Sequence, residues 1–578
     1  MLSYDRLSAS LSGEPKQAFV LTRHFFNRLF QNDVFPFQEQ MKEKLAVILA
    51  MVASLGWLIA NSLMMRYIFV ADRGESWLEK CHFLSFFMVL LAFATLLEWD
   101  VIFLDKRDQS NLMVLPVRTR TLFCAKSAAM AVFIVFYTAA VCSLSFMVIA
   151  FVLPGWISND LGTLGLYFAA HLLSSLAAFT FVFLLFVAIQ AVLLLVLSPK
   201  LFKTLSLVIR FGLAVVCIFL LMTLLVNRET TNRFFSSLAG LKDRGDASVL
   251  LFPPMWFAGI YESILGRRDP LYSASVSIGL SAILVLGLAY FLALALSYRR
   301  HVRKSLEVQA KPALFKSIRD RLSSAFDAVV LKDPTERAVF HFFGRTLRNS
   351  ALHKVRLAGY LAFALGLLLV LFGSQINALR NLGMDNLNLL AMPLILAFFL
   401  LLGLRSIVNV PLAAESNWIF RLTERNSRTP YFVGLKKAIL FYAILPLFGG
   451  LYVFFLLTWG AWAALLHGLY GLAFALLLLQ ILFWNFRKIP FSCVTVPGRA
   501  RLQYLWLIYG LSFIFALSAF SSLERTLFRN PGNFIIYYGA AFGLVIALDV
   551  YQRAFVYEKL RLLYEDKPDP VMITLVES

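Results

Sequence analysis

From Leu164 to Leu197 the chain runs without one charged residue, and Leu45–Met65, Ala128–Leu153 and Ala438–Leu465 are equally clean. About 20 apolar residues in helical form cross the ~30 Å hydrocarbon core of a bilayer. Inside lipid every backbone N–H and C=O must find its partner within the segment, which leaves the helix as the form these runs take. Composition agrees: of 578 residues, 60% are hydrophobic and 15% charged, where a soluble protein carries about a quarter charged. Alternating ten-residue patterns, the mark of an outer-membrane barrel, are absent. The chain is expected to be an all-α polytopic membrane protein.

Predicted spans in the first half are Leu45–Met65, Phe83–Leu97, Ala128–Leu153, Leu164–Leu197, Leu205–Val226 and Ser275–Tyr298. The fourth exceeds one crossing, so it tilts, breaks or projects beyond the bilayer. The second half offers Leu357–Phe372, Leu389–Ile407, Ala438–Leu465, His467–Phe486, Leu502–Ser521 and Phe534–Phe555. Residues 227–272 read as a wet segment, whose run Phe252-Pro253-Pro254-Met255-Trp256-Phe257 suits a membrane interface. The first apolar run begins too far along for a cleaved signal peptide and is expected to remain as a span.

The halves echo one another. His24, Phe25, Phe26, Arg28 and Asn32 recur as His341, Phe342, Phe343, Arg345 and Asn349, an offset of 317 (341 less 24). Glu98, Ile102 and Phe103 recur as Glu415, Ile419 and Phe420 at the same offset. This order predicts about 12 transmembrane helices as a 6+6 tandem pseudo-repeat, a plan common among transporters. Residues 1–298 would be the first six-span domain, 299–340 a basic linker and 341–578 the second domain. An even number of spans gives both repeats one orientation.

The formal charge of +21 has a membrane explanation. With the N-terminus inside, about 41 of the 54 Lys and Arg fall on the cytoplasmic side. No soluble segment interleaves aromatic and basic residues as a nucleic-acid surface does, so no polynucleotide partner is expected. Cys81, Cys124, Cys142, Cys217 and Cys493 are scattered, with neither disulfide nor zinc spacing. HExxH, GxSxG and phosphate-loop patterns are missing. Neither enzymatic activity nor a cofactor is expected of this chain.

The sharpest local signal follows the second span. Glu98-Trp99-Asp100 leads through Asp105-Lys106-Arg107 to Leu115-Pro116-Val117-Arg118-Thr119-Arg120 and closes at Lys126. A loop of ~30 residues is long for a helix connection. Leu104 to Val117 suits a short surface helix broken at Pro116, with its basic residues facing cytosol or headgroups.

This segment resembles the cytoplasmic loop of ABC-2 type exporter permeases, where an acidic residue ends the second span and Leu-Pro-Val, an Arg and a more distant Lys lead into the third. Glu98, Leu115, Pro116, Val117, Arg118, Arg120 and Lys126 carry the resemblance. It implies six-span domains acting in pairs, an amphipathic N-terminal helix, here the patch of His24, Phe25, Phe26 and Arg28, and a loop that contacts separate ATPase (nucleotide-binding) subunits. In the second half His341, Phe342, Phe343 and Arg345 match the amphipathic patch. Its loop departs from the pattern: after Glu415 come Arg421, Arg425, Arg428, Lys436 and Lys437, with no Leu-Pro-Val. That half would dock its partner more weakly or dock another subunit. Cysteine usage and the absence of eukaryotic targeting signals fit a bacterial cytoplasmic membrane, and aromatic and aliphatic lining residues between the halves would suit an amphipathic, lipid-like cargo.

Polar groups at membrane depth are functional candidates by default. His171, Gln190, Gln480 and Asp549 qualify; the glutamines equally suit helix–helix hydrogen bonding, and His171 suits a wet position near the outer surface. Gly539 and Gly543 have a spacing that permits close helix packing. Two other classes compete. A major-facilitator carrier also has twelve spans and a basic linker, yet Asp105-Lys106-Arg107 lacks the glycine and paired arginines of its loop motif. A membrane-embedded transferase would need a convergent outer site, and Arg233, Lys242, Asp243, Arg244 and Asp246 make none that is persuasive.

Overall fold

The computed structural model describes residues 14–29, 41–68, 76–99, 117–153, 160–304, 327–373 except 328, 383–410, 422–492 except 423, 426 and 485, and 502–562 except 561. Every regular element among them is helical. The chain divides into two compact units, Met1–Val308 and Gln309–Ser578. Twelve described helices are long and apolar enough to cross a membrane, six in each unit. This is an all-α, multi-pass architecture, as expected.

Unit 1 contains α1 (Glu14–Leu29), α2 (Met41–Met64), α3 (Trp77–Leu97), α4 (Thr119–Val152), α5 (Leu161–Val196), α6 (Pro199–Val226), α7 (Arg228–Asp243), α8 (Pro253–Ile264) and α9 (Pro270–Lys304). The second span, α3, lies at its centre: its sequence is apolar all round, the pattern of a helix enclosed on every side, and fourteen of its residues are buried. α1 packs on the start of α4, at the end of the unit where α3 finishes.

The segment 227–272 departs from its wet reading. α7 is amphipathic, but α8 is buried, with Met255, Phe257, Ala258, Tyr261 and Glu262 all shielded. Its 12 residues extend about 18 Å, too short to cross. α8 packs against α3, α5 and α9 inside the end of the unit where α3 begins. Pro253 and Pro254 start it, where missing N–H groups are tolerated. Its approach to α9 requires Gly259, where a Cβ would stand 2.5 Å from the Ser275 Cβ.

Unit 2 contains α10 (Pro334–Asn349), α11 (Ala351–Gly373), α12 (Leu387–Ile407), α13 (Thr429–Ile439), a π-helical turn at Leu440–Ile444, α14 (Leu445–Trp459), α15 (Ala461–Leu482), α16 (Leu502–Arg529) and α17 (Asn533–Tyr551), ending in a second π-helical turn, Gln552–Tyr557. Again the second span, α12, is the most enclosed. No outer helix pair parallels α7 and α8, because α16 turns directly into α17 through Asn530, Pro531 and Gly532.

Several boundaries differ from the sequence reading: the third, seventh and ninth spans start at Thr119, Ala351 and Thr429 rather than Ala128, Leu357 and Ala438. The second span starts at Trp77 rather than Phe83, and α16 continues past Ser521 to Arg529. The ninth and tenth spans part at Gly460, not near residue 466, because Gly460 adopts φ 82°, a conformation L side chains resist. The repeat is also uneven. α3 and α12, and the starts of α4 and α13, correspond at an offset of 310 (387 less 77), which pairs Lys126 with Lys436. Glu98 caps α3 directly, whereas Glu415 lies eight positions beyond Ile407 and outside the described residues.

Candidate functional site

In unit 1 the amphipathic helix rests on the first turns of the third span. Leu21 and Phe25 of α1 are buried against Leu122, Ala125 and Ala129 of α4, flanked by Phe26 and Val117. Lys126 is buried with its Nζ 5.1 Å from the centre of the Phe25 ring, a cation–π geometry. Phe26 meets Phe136 with ring centres 5.6 Å apart, and His24 is exposed beside Phe25. Arg118 reaches Glu14 at 2.6 Å while staying 79% exposed, and Arg120 is exposed. Exposed pairs of this kind contribute little stability, so both guanidiniums are available to a partner. Leu115, Pro116, the expected surface helix over 104–117 and the Arg28 side chain lie outside the described residues.

The other root of the same loop is fastened by unit 1 itself. The last carbonyls of a helix lack intrahelical partners; here Gln190 Nε2 donates to the Trp99 carbonyl at 2.7 Å and Arg210 to that of Leu97 at 2.9 Å. Trp99 is buried and donates its indole N–H to Ser206 at 3.0 Å. Glu98 stands at this fixed end of α3.

Unit 2 repeats the arrangement with a rotated face. α10 packs on α13, burying Val339, Phe340 and Phe343, while Phe342, the counterpart of Phe25 at the 317 offset, is half-buried. His341 faces Asp327 at 2.9 Å and Arg345 is exposed. The described loop cations of this half find partners within the unit. Arg425 contacts Asp333 and Thr335 at 3.3 and 3.1 Å, and Arg428 donates to the Leu560 carbonyl at 2.8 Å and reaches Glu424. Lys437 holds Glu336 at 2.6 Å and the Val330 carbonyl at 2.9 Å. Lys436 is buried, donating to Gln480 and Gln552 and lying 3.4 Å from Asp549 and 5.1 Å from the centre of the Tyr557 ring. Glu415 and Arg421 lie outside the described residues.

Asp333 caps α10, accepting from the Thr335 N–H at 2.6 Å. Burial opposes its charge, but Thr335 and the Arg425 guanidinium outweigh that and hold the carboxyl below the usual aspartate range. Its stabilisation is therefore complete above the unfolded aspartate pKa and fades as acid protonates the folded form. Asp333→Ala is expected to lower stability by ~1 kcal/mol at neutral pH; denaturation midpoints should converge with those of the unaltered chain in acid.

Two buried acid–base pairs escaped the sequence reading. Lys80 of α3 and Glu262 of α8 meet at 2.6 Å, with side chains 1% and 0% exposed, and Arg267 approaches Glu262 at 3.2 Å. The Lys80 Nζ lies 4.5 Å from the Tyr261 ring centre; burial raises the Tyr261 phenol well above its usual range. Near them His171 is buried, not wet. The Ser145 hydroxyl donates to the Val141 carbonyl and so accepts from His171 Nε2–H at 2.9 Å. In unit 2, His467 of α15 and Glu524 of α16 meet at 2.6 Å, 1% and 0% exposed. Lys80, His467 and Glu524 lie near span ends and Glu262 on the short α8, where charge reads as interface, so the sequence held no signal that they meet.

Gly539 and Gly543 do not serve close packing within unit 2, since a Cβ at either meets nothing within 4 Å. Among the described residues no three His, Cys, Asp or Glu side chains gather as metal ligands. No family model, curated protein or solved structure matches the chain.

Proposed function

We propose that the chain is the membrane-spanning subunit of an ABC-2 type exporter, energised by ATPase subunits on separate chains and working in a bacterial cytoplasmic membrane. The observation that carries this reading is the contact of an amphipathic helix with the first turns of the third span, present in both units. In unit 1 it sets exposed Arg118 and Arg120 at the root of the long inner loop. A push delivered there reaches α4 directly, through Phe25 and the buried Lys126. Unit 2, whose described loop cations are engaged within the unit, offers the weaker contact. An amphipathic, lipid-like cargo fits the chain's aromatic and aliphatic character, and the outward direction follows the family resemblance.

The test is co-purification from membranes of the host, followed by detection of ATPase subunits. Arg118→Glu/Arg120→Glu is expected to weaken their association about tenfold or more, and Arg425→Glu to change it far less. Unchanged association in the double variant defeats the docking assignment. Absence of any ATPase partner from the native preparation defeats the exporter reading.

A further inference from the structure

The pair at the outer end of unit 2 is not explained by stability. Replacing a buried ion pair with apolar side chains of similar volume is often neutral or stabilising, and each buried polar atom without a partner carries an uncompensated desolvation penalty. His467 Nε2 and Glu524 Oε2 are both buried without a hydrogen-bond partner, although Nδ1 and Oε1 of the same residues meet at 2.6 Å. An ionisable pair kept at membrane depth under those penalties is a candidate for function.

The surroundings separate this pair from the other buried bases. His353 has both ring nitrogens engaged, by the Ser350 hydroxyl at 2.6 Å and the Val410 carbonyl at 3.0 Å. His341 meets Asp327 where both are partly exposed. Lys80 and Glu262 are as deeply buried, but Arg267 brings a second cation to within 3.2 Å of Glu262, whereas the second Glu524 oxygen has no hydrogen-bond partner.

Around His467, α14 presents only rings, Phe455 at 4.4 Å and Trp459 at 5.1 Å between centres. The titratable neighbours among the described residues are Tyr470 on its own helix, Tyr537 and Tyr538 on α17, and Glu524 on α16. Tyr470 and Tyr538 spend their hydroxyl protons on the carbonyls of Phe520 and Leu466. Arg525 turns away to Asp385 at 3.5 Å on the outer rim. His467 lies six positions after the start of α15 and Glu524 five before the end of α16, placing both within about 10 Å of the outer helix ends.

We propose that His467 and Glu524 form a proton-binding site that exchanges with water at the outer face of unit 2. With two protons the pair is net neutral, as imidazolium with carboxylate or as imidazole with carboxylic acid. With one, held between Nδ1 and Oε1, it carries a single negative charge. A hydronium ion from the outer side gives its proton to the Nε2 lone pair and leaves as water; release reverses the step. The anionic form needs solvent that the closed packing of α14, α15 and α16 excludes, so proton exchange accompanies opening of this outer end. This site is independent of the ATPase assignment, because it resides on other elements and binds another ligand.

The experiment is infrared difference spectroscopy of the full chain in nanodiscs during a pH titration, with 13C-labelled glutamate. The native chain should show a titrating glutamate band that disappears in Glu524→Gln, shifts in His467→Gln and persists in Glu262→Gln. A band unaffected by Glu524→Gln, or no titrating band at all, overturns the proposal. Should the variants fail to fold, the native chain labelled with 15N-histidine decides. A buried imidazole signal that moves with pH and exchanges with solvent supports the site. Buried signals that stay constant throughout the folded range overturn it.

Discussion

Lys80→Met is expected to destabilise unit 1 by about 3–5 kcal/mol, because it strands the Glu262 carboxylate in a fully buried position. The expected value sits toward the lower end, since Arg267 stands 3.2 Å from the other carboxylate oxygen and keeps a share of the compensation. The double variant Lys80→Met/Glu262→Leu should recover most of the loss, as apolar replacements of buried pairs commonly do. Thermal unfolding in detergent, read for both variants and for Glu262→Leu alone, forms a double-mutant cycle. Additive losses would mean that the two side chains do not interact. The consequence reaches α8, which lacks the length to cross the membrane and is tied to α3 by this pair: in Lys80→Met, hydrogen exchange should rise over Pro253–Ile264 before it rises over α3.

Gly434→Val is expected to dislodge α10 from α13. A Cβ at Gly434 would stand 2.7 Å from the Glu336 carbonyl oxygen and 2.9 Å from its Cα. Those are backbone atoms, and no rotamer change relieves the clash. Overpacking costs about 1–3 kcal/mol where side chains can shift, and more is expected where a helix must move. Gly449→Val on α14 is the matched control, because nothing lies within 4 Å of its Cβ position; there the change should be neutral or mildly stabilising through helix propensity. Protease sensitivity over Pro334–Asn349 should increase in Gly434→Val alone, and equal sensitivity in both valine variants would refute the packing.

If the contact of α10 with α13 supports docking as proposed above for α1 and α4, Gly434→Val also weakens whatever unit 2 binds. The stability effect does not depend on that assignment, and the two readouts can be separated by measuring association only at temperatures where the variant is folded.

How far the sequence could be read depended on distance along the chain. The twelve spans were legible because a run such as Leu164–Leu197 has only one way to satisfy its backbone in lipid. The amphipathic helices were legible from the apolar spacing around His24 and His341. Two of the misjudged boundaries share one cause. Trp77 to His82 and Leu523 to Arg529 contain charged residues, so they read as ends of spans, yet Lys80 is neutralised by a residue 182 positions away and Glu524 by one 57 positions away. The Lys126 position was readable as a loop terminus, but its burial over Phe25 was not, since a lysine before an apolar run ordinarily faces water.

Hydrophobic pattern and charge asymmetry by themselves determined the membrane as solvent, the helical form, the count of spans and which ends carry the basic residues. These are properties of each segment taken alone, set by the exchange of backbone and side chains between water and lipid. Only the tertiary structure decided which charges turn inward, which helix lies at the centre of each unit, and that α8 dips into unit 1. Those outcomes depend on meetings between groups remote in the chain, where one hydrogen-bonded partner reverses the penalty of burying a charge.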